Sequence, residues 1–269
     1  MSIKITLAGP RGKMGSEALQ MIQDEPNFTL VACIDRKHDG KLMKDINTLP
    51  DLNVPIFTDP EECFKQISTD VLLDLTVPDV CYRHARLALM HNVRPVVGTT
   101  GFTDDELEQL KQLATEHQIG GIIAPNFATG AILMMKFAQL AAKFFPDVEI
   151  IEKHHDQKLD APSGTAIKTS ELIRQVREDK VQGHPDEYET IERARGANVD
   201  GLHIHSLRLP GLVAHQEVIF GSPGQTLSIK HDSLNRQSFM DGAKLAIHQV
   251  IELNELVYGL ENIPYFNES

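Results

Sequence analysis

The segment 152–166 (EKHHDQKLDAPSGTA) concentrates side chains that exchange protons or hold anions. His154 and Lys158 are both proton donors, because a histidine titrates near neutral pH and the pKa of a lysine falls readily on burial. The turn 162–165 offers hydroxyls and backbone N–H groups just before a predicted helix, where the helix dipole favours an anion. These residue types predict a site that holds a small carboxylate-bearing substrate and protonates it.

The adjacent histidines His154 and His155 raise a metal site as the alternative. Neighbouring side chains on a strand point to opposite faces, which is poor geometry for chelation. The sequence contains neither an HExxH nor a CxxC pattern. We therefore expect no metal, and we keep open that one of the two histidines only orients the loop.

A second candidate site lies near the N-terminus, where the apolar run 3–7 is followed by Gly9, Gly12 and Gly15. A helical pattern continues over 17–22, and strand, glycine turn and helix together are typical of dinucleotide binding. Glycines let a backbone approach a pyrophosphate closely, and the helix N-terminus faces its charge. Because the G-x-x-G-x-x-G spacing differs from G-x-G-x-x-G, a tight turn without a ligand stays open.

The end of the next predicted strand supports the dinucleotide. The apolar run 28–34 ends at Asp35, 20 residues after Gly15. An acidic residue at this point hydrogen-bonds the ribose of NAD, whereas a nearby basic residue such as Arg36 or Lys37 accommodates the 2′-phosphate of NADP. The sequence therefore leaves both NADH and NADPH open.

The first half of the chain alternates strand and helix patterns, which predicts a parallel, doubly wound sheet. In such sheets ligands bind beyond the carboxyl ends of the strands. Three loops fall at predicted strand ends, namely 76–79 (TVPD), 98–102 (GTTGF) and 124–127 (APNF). Together with the glycine turn, they predict one shared cofactor crevice.

The second half has a different pattern. After a predicted helix over 166–176, the polar stretch 177–201 exceeds usual loop lengths, and we expect a functional or oligomer-related insertion there. Strand patterns at 202–209, 214–220 and 225–231 predict an antiparallel or mixed sheet, and 238–256 predicts a final helix.

Composition sets further bounds. The 269 residues suffice for one large domain or two modest ones, and the net charge of -12 argues against nucleic acid and anionic membranes as partners. No apolar run has the length of a membrane span or of a signal peptide. The scattered Cys33, Cys63 and Cys81 indicate a reduced, cytoplasmic setting and place no thiol nucleophile in the second half. The lack of a G-x-S-x-G elbow argues against a serine hydrolase.

Six segments, in order along the chain, together resemble the dihydrodipicolinate reductase family of bacterial lysine and diaminopimelate synthesis: AGPRGKMG, DLTVP, VVGTTGF, APNF, HHDQKLDAPSGTA and HSLRLPGLVAHQEVIFG. The HHxxKxDAPSGTA pattern is the most specific of them. The resemblance implies a Rossmann-like doubly wound parallel sheet plus a smaller α/β domain with an open mixed sheet. It further implies a dinucleotide-binding domain at 1–127, completed by 237–269, and a substrate-binding and oligomerisation domain at 128–236 that forms a homotetramer.

The resemblance also implies a reaction. NADPH or NADH would reduce the cyclic imine 4-hydroxy-tetrahydrodipicolinate, with hydride delivered to C4 after loss of water. His154 and Lys158 would be the catalytic acids, and the dicarboxylate would be held by His155, Lys158, Ser163, Gly164 and Thr165. The implied cofactor contacts are Gly9, Pro10, Arg11, Gly12, Lys13, Met14, Asp35, Arg36, Gly98, Thr99, Thr100, Ala124, Pro125, Asn126 and Phe127.

Two alternatives from other classes stay open. One is a different dinucleotide-dependent reductase of a small carboxylated imine or ketone, which would keep the same acids and differ in pocket shape. The other is a redox-sensing module that binds NAD(P) without catalysis. Such a module would need neither Lys158 nor the Gly164–Thr165 pair.

Overall fold

The structure, a computed structural model, describes residues 2–99 and 101–266. The chain divides into two compact units. Unit 1 combines the residues up to Phe127 with those from Arg236 onward, and unit 2 is the single stretch Ala128–Asn235. Unit 1 is therefore assembled from two separate parts of the sequence.

The elements are numbered in chain order within the described ranges. The strands are β1 (Ile3–Ala8), β2 (Phe28–Ile34), β3 (Ile56–Phe57), β4 (Val71–Asp74), β5 (Arg94–Val97), β6 (Gly121–Ile123), β7 (Asp147–His154), β8 (Ala197–Val199), β9 (Leu202–Arg208), β10 (Ala214–Ser222), β11 (Gln225–Ser233) and β12 (Leu256–Tyr258). The helices are α1 (Lys13–Asp24), α2 (Pro60–Gln66), α3 (Pro78–Met90), α4 (Asp104–His117), α5 (Thr129–Ala142), α6 (Gly164–Arg174) and α7 (Met240–Val250).

Unit 1 is built on a parallel sheet with the strand order β12-β6-β5-β4-β1-β2-β3 over the described residues. Its central strands are mainly apolar, and Leu7, Leu72 and Leu73 have no exposed surface. Strands covered on both faces need this continuous apolar pattern, whereas half-exposed strands alternate. The predicted doubly wound parallel sheet is confirmed.

Unit 2 contains a mixed sheet with the order β11-β10-β7-β9-β8 in the described part of the chain. β7 and β9 run parallel, and the other neighbours are antiparallel. β7 alternates with period two and buries Val148, Ile150 and Glu152 on one face. Gln216 of β10 pairs with Glu152, and its side chain donates a hydrogen bond to the Thr169 hydroxyl on α6. Helix α6 therefore packs on this face of the sheet. The predicted mixed sheet is confirmed.

The C-terminal segment differs from the prediction of one helix over 238–256. Helix α7 ends at Val250, and β12 follows as an edge strand parallel to β6. The chain turns tightly in between, since a Cβ on Gly120 would lie 2.5 Å from the carbonyl oxygen of Leu253. β12 has too few residues to show a periodicity, so its pairing with β6 decides its conformation.

The polar stretch 177–201 is fixed to unit 2 by side chains. Gln182 Oε1 accepts a hydrogen bond from the N–H of Val148 at 3.0 Å, and Glu189 accepts from the N–H groups of Arg193 and Arg195. The short strand β8 closes the stretch. No helix within the described ranges is both long and apolar enough to span a bilayer.

Candidate active site

The predicted cofactor residues of unit 1 lie along one edge of its sheet, because parallel strands end on the same side. β1 leads into the glycine turn, β5 into Gly98, and β6 into Ala124. Backbone hydrogen bonds fix these ends: Gly98 donates to Asp74 at 2.8 Å, and Ala124 donates to Val97 at 2.8 Å. Thr100, also a predicted contact, lies outside the described residues.

The glycine turn between β1 and α1 has the close backbone approach that a dinucleotide requires. Gly9 adopts a φ of +83°, and a Cβ on Gly15 would lie 2.0 Å from the carbonyl oxygen of Gly9. Gly12 caps α1 without a side chain, and the first turn of the helix carries no acidic residue. A bare loop beside a helix N-terminus suits a pyrophosphate, so the residues present fit the implied cofactor.

The exposure of the predicted contacts varies along this edge. Arg11, Gly12, Lys13, Arg36 and Pro125 are exposed, whereas Pro10 and Ala124 are buried. Phe127 is 3% exposed, and a Cβ on Gly98 would lie 2.5 Å from its ring. Phe127 therefore shapes the Gly98 turn from within unit 1.

Asp35 and Arg11, predicted separately as cofactor contacts, form an ion pair. The Arg11 guanidinium donates from Nε to Oδ2 at 2.8 Å and from Nη2 to Oδ1 at 2.6 Å. Burial alone would raise the pKa of Asp35, but the hydrogen bonds from Arg11 and from the N–H of Lys37 hold it below its ordinary value. A carboxylate and a guanidinium thus stand together where the sequence predicts the adenosine ribose.

Sequence reasoning missed Asp74, which supports the loop beside Gly9. Asp74 is fully buried, and its Oδ1 accepts hydrogen bonds from the N–H and hydroxyl of Thr76 at 2.8 and 2.5 Å. Its Oδ2 lies 2.7 Å from Nδ1 of His84 on α3. The Thr76 methyl group would lie 3.3 Å from a Cβ on Gly9, so Thr76 packs against the glycine turn. Asp74 therefore supports the turn by fixing Thr76. The signal in the sequence was an aspartate at the end of the apolar run 71–73, which could have indicated a functional or supporting carboxylate.

In unit 2, β7 delivers His154 as its last residue, and the chain returns through a cis Ala161–Pro162 peptide to the start of α6. Ser163 caps α6, its hydroxyl accepting a hydrogen bond from the N–H of Ala166 at 3.2 Å. A Cβ on Gly164 would meet nothing within 4 Å. The helix start is therefore open at Gly164, as the approach of a carboxylate requires.

One buried carboxylate joins His154, the predicted proton donor, to this helix start. Glu152 has no exposed surface; its Oε2 accepts from Nδ1 of His154 at 2.6 Å, and its Oε1 accepts from the N–H of Ser163 at 3.2 Å. Arg208, at the end of β9, donates to both oxygens at 2.8 Å. Burial alone would raise the pKa of Glu152, but hydrogen bonds from His154, Arg208 and Ser206 lower it to about 2.

Lys158 lies in the turn that follows β7. Its N–H donates to the carbonyl of His155 at 3.2 Å, and its Nζ donates to the two carboxylate oxygens of Asp160 at 2.7 and 2.9 Å. Arg208 donates to the carbonyl of Asp160 at 2.8 Å. The same guanidinium thus holds Glu152 and the partner of Lys158. His155 is exposed, and the carbonyl of Thr165 accepts from the Thr169 hydroxyl at 2.7 Å.

Sequence reasoning gave no role to Glu152 or Arg208. The period-two pattern of β7 was a signal for Glu152, since a carboxylate follows Val148 and Ile150 on the buried face. Arg208 gave no such signal, because its contact depends on the parallel pairing of β7 with β9. Within the described ranges, no three His, Cys, Asp or Glu side chains are placed to hold a metal ion.

The three cysteines lie in the interior of unit 1, with Cys33 and Cys63 fully buried and Cys81 1% exposed. Burial raises the pKa of all three thiols, that of Cys63 and of Cys81 to about 12. Because the thiolate is the reactive form, we expect no rapid labelling of the native protein by an aromatic disulfide at neutral pH. Unfolding in guanidinium should then release three titratable thiols. Fast labelling before unfolding would contradict the burial.

Comparisons with known proteins cover both units. The model of the dihydrodipicolinate reductase N-terminus matches residues 3–127, and that of the dihydrodipicolinate reductase C-terminus matches residues 130–263. The 4-hydroxy-tetrahydrodipicolinate reductase of Oceanobacillus iheyensis is 63% identical over 98% of this chain and 100% of that protein. The enzyme of the same name from Geobacillus thermodenitrificans is 61% identical over 98% of this chain and 99% of that protein.

A solved structure agrees over the same length. The dipicolinate-bound dihydrodipicolinate reductase from Paenisporosarcina sp. TG-14 superposes with a TM-score of 0.89 and 56% identity, covering 98% of this chain and 100% of that chain. Both family models and these full-length relatives show that the chain is an oxidoreductase belonging to the dihydrodipicolinate reductase family.

Proposed function

We propose that the chain reduces 4-hydroxy-tetrahydrodipicolinate to tetrahydrodipicolinate with NADPH or NADH, as a step of lysine and diaminopimelate synthesis. The names of its full-length relatives support this reaction. The structural observation that carries the proposal is the Glu152 carboxylate, which binds both His154 and the cap of α6. A proton donor and an anion-binding helix start are thereby fixed beside each other, as a carboxylated imine requires.

We infer that the cofactor lies along the carboxyl edge of the sheet in unit 1. The glycine turn would hold the pyrophosphate through residues 9–14, and Asp35 with Arg36 would contact the adenosine ribose. Gly98, Thr99, Thr100 and residues 124–127 would line the rest of the crevice. A bound nicotinamide supplies the hydride, and the protein contributes its orientation and electrostatics.

The substrate would be oriented by unit 2. The N–H groups of Gly164 and Thr165 at the start of α6 would bind one carboxylate, with the Ser163 turn behind them. His155 and Lys158 add charge or hydrogen bonds for the dicarboxylate. The dipicolinate in the Paenisporosarcina relative carries two carboxylates on a nitrogen ring, which supports a ligand of this class.

His154 and Lys158 would supply the protons. Hydride addition at C4 leaves an enamine-like intermediate that must be protonated at the neighbouring carbon, and each of these side chains is a general acid within one short loop. Positioning and proton transfer then raise the rate together. We propose both residues as proton donors and do not assign either of them to a particular atom of the substrate.

We also propose a cytoplasmic homotetramer, on the strength of the family resemblance. Light scattering of the purified protein measures this directly. A mass near four times the 30.0 kDa chain is expected, and a monomeric mass would contradict the assembly.

The test of the function is oxidation of NADPH, and separately of NADH, by the purified protein. A synthase generates the substrate in the cuvette from pyruvate and aspartate semialdehyde. Oxidation that depends on the synthase is the expected result, and the ratio of the two rates reports the preference set by Asp35, Arg36 and Arg11. A folded protein that binds the cofactors without oxidising either would reject the proposal and favour a different imine reductase or a sensor.

A further inference from the structure

We propose that Glu152 is a positioning residue that holds the neutral ring of His154 as its Nδ1–H tautomer and leaves Nε2 to exchange protons with the substrate. This inference deepens the proposed function and rests on it. Glu152 would touch neither substrate nor cofactor. It would act on proton transfer through His154, while its bond to the N–H of Ser163 supports the helix start.

The hydrogen bond between Glu152 and His154 determines which ring nitrogen carries the proton. An ionised carboxylate only accepts hydrogen bonds, so the 2.6 Å contact between Oε2 and Nδ1 requires a proton on Nδ1. This bond also determines the protonation state of the other ring nitrogen, Nε2, in the neutral ring. In the neutral ring Nε2 then carries a free lone pair, and in the charged ring it carries an N–H. A general acid needs both states, because it gives up this proton and later regains it.

The carboxylate is fixed in place by its other partners. Oε2 also accepts from Nη1 of Arg208 at 2.8 Å, and Oε1 accepts from Nη2 at 2.8 Å and from the N–H of Ser163 at 3.2 Å. Together with the bond from His154 and the Ser206 side chain, these contacts fill the acceptor sites of the carboxylate. Glu152 is also fully buried, so water does not compete for these bonds. The ring of His154 is held by a group that cannot rotate away.

A second carboxylate on β7 provides a matched comparison. Glu149 binds His205 through Nε2 at 2.7 Å and forms an ion pair with Arg195. It repeats the carboxylate, histidine and arginine set of Glu152. Being three residues away on the strand, it lies on the opposite face of the sheet, and its side chain is 29% exposed. Its described side-chain hydrogen-bond partners are Gln182, Arg195 and His205.

The kinetic test compares Glu152→Gln, Glu152→Asp and Glu149→Gln. In Glu152→Gln an amide NH2 replaces one carboxylate oxygen. At the Oε1 position it would face two donors, the N–H of Ser163 and Nη2 of Arg208, so it favours the Oε2 position, where it donates to Nδ1 of His154. The neutral ring then carries its proton on Nε2, and the charged ring, which needs an N–H on both nitrogens, is disfavoured. We expect kcat of Glu152→Gln to fall about 10- to 100-fold or more, the lower figures being those for losing a hydrogen-bond partner that orients a metal-bound histidine. KM should change little, Glu152→Asp should restore part of kcat, and Glu149→Gln should behave as wild type. Unchanged kcat in Glu152→Gln would overturn the proposal.

A spectroscopic test reads the tautomer without activity. Long-range ¹H–¹⁵N correlation spectra of histidine-labelled protein are recorded at about pH 9, where an ordinary imidazole is neutral. The ring of His154 is assigned by its loss in His154→Gln. Wild type should give the Nδ1–H pattern, and Glu152→Gln the Nε2–H pattern. An Nε2–H ring in wild type would overturn the proposal even if Glu152→Gln failed to fold.

The two tests separate this inference from the function on which it rests. A wild-type protein without reductase activity but with the Nδ1–H ring would reject the reaction and keep the role of Glu152. Full wild-type activity with an Nε2–H ring would support the reaction and reject the role of Glu152.

Discussion

Lys158→Ala is expected to lower turnover by roughly 10²-fold or more, the lower end of what general acid catalysis contributes. The carboxylate of Asp160 accepts hydrogen bonds from the Lys158 ammonium, and Arg208 donates to the backbone carbonyl of Asp160. Alanine would remove the proposed proton donor and a charge for the proposed dicarboxylate while leaving the Glu152 contacts in place. Steady-state kinetics with synthase-generated substrate should show a lower kcat together with a higher KM.

Lys153→Ala is the matched control for this variant. Lys153 immediately precedes His154 on β7, and its side chain lies on the face opposite to Glu152. The variant removes the same charge from the strand that leads into the Lys158 turn, so turnover should equal that of wild type. Near-normal turnover in Lys158→Ala would remove Lys158 from the mechanism, and an equal loss in both variants would point to the net charge of the unit.

Gly15→Ala should nearly abolish cofactor binding and destabilise unit 1. Its Cβ would lie 2.0 Å from the carbonyl oxygen of Gly9 and 2.9 Å from the carbonyl carbon, and these backbone atoms cannot move without opening the turn. Overpacking of this kind costs typically about 1–3 kcal/mol, which outweighs the roughly 1 kcal/mol that alanine gains over glycine in a helix. Fluorescence titration with NADPH measures the binding, and thermal unfolding measures the stability.

Gly12→Ala separates the two effects. A Cβ on Gly12 would lie 3.3 Å from the oxygen of Gly9, and its φ is -75°, so the turn accommodates alanine with a small adjustment. The melting temperature should stay close to that of wild type. Cofactor affinity should still fall, because the methyl group would occupy the space through which a pyrophosphate reaches the helix start. Normal affinity in Gly12→Ala would exclude the glycine turn as the pyrophosphate site.

Much of the fold could be predicted because its signals are local. The glycines after β1 and the alternation of strand and helix patterns predict a parallel sheet, since each signal lies within one element and its turn. β12 gave no such signal. Its three residues become a strand only because Gly121, Ile122 and Ile123 of β6 offer a free edge. Pairing between distant segments is a tertiary property that a short window of sequence does not contain.

The candidate site divides in the same way. His154, Lys158 and the Ser163 turn could be predicted as site residues from their types and spacing, because they share one short segment. Arg208 comes from β9, and it meets Glu152 only after β7 and β9 pair in parallel. The ion pair of Arg11 with Asp35 likewise requires the pairing of β1 with β2. Sequence therefore predicted the acids and the anion-binding turn, and the structure adds the groups that hold them.

The discontinuity of unit 1 has a consequence for synthesis on the ribosome. Unit 2 is one uninterrupted stretch, so all of its residues are translated before the last part of unit 1. The edge of β6 stays uncovered until β12 arrives, and α7 arrives only shortly before it. A chain released after residue 235 would have all strands of the unit 2 sheet but would lack the edge strand β12 of the unit 1 sheet. An exposed strand edge pairs readily with other chains, so premature termination in the last segment should yield aggregates.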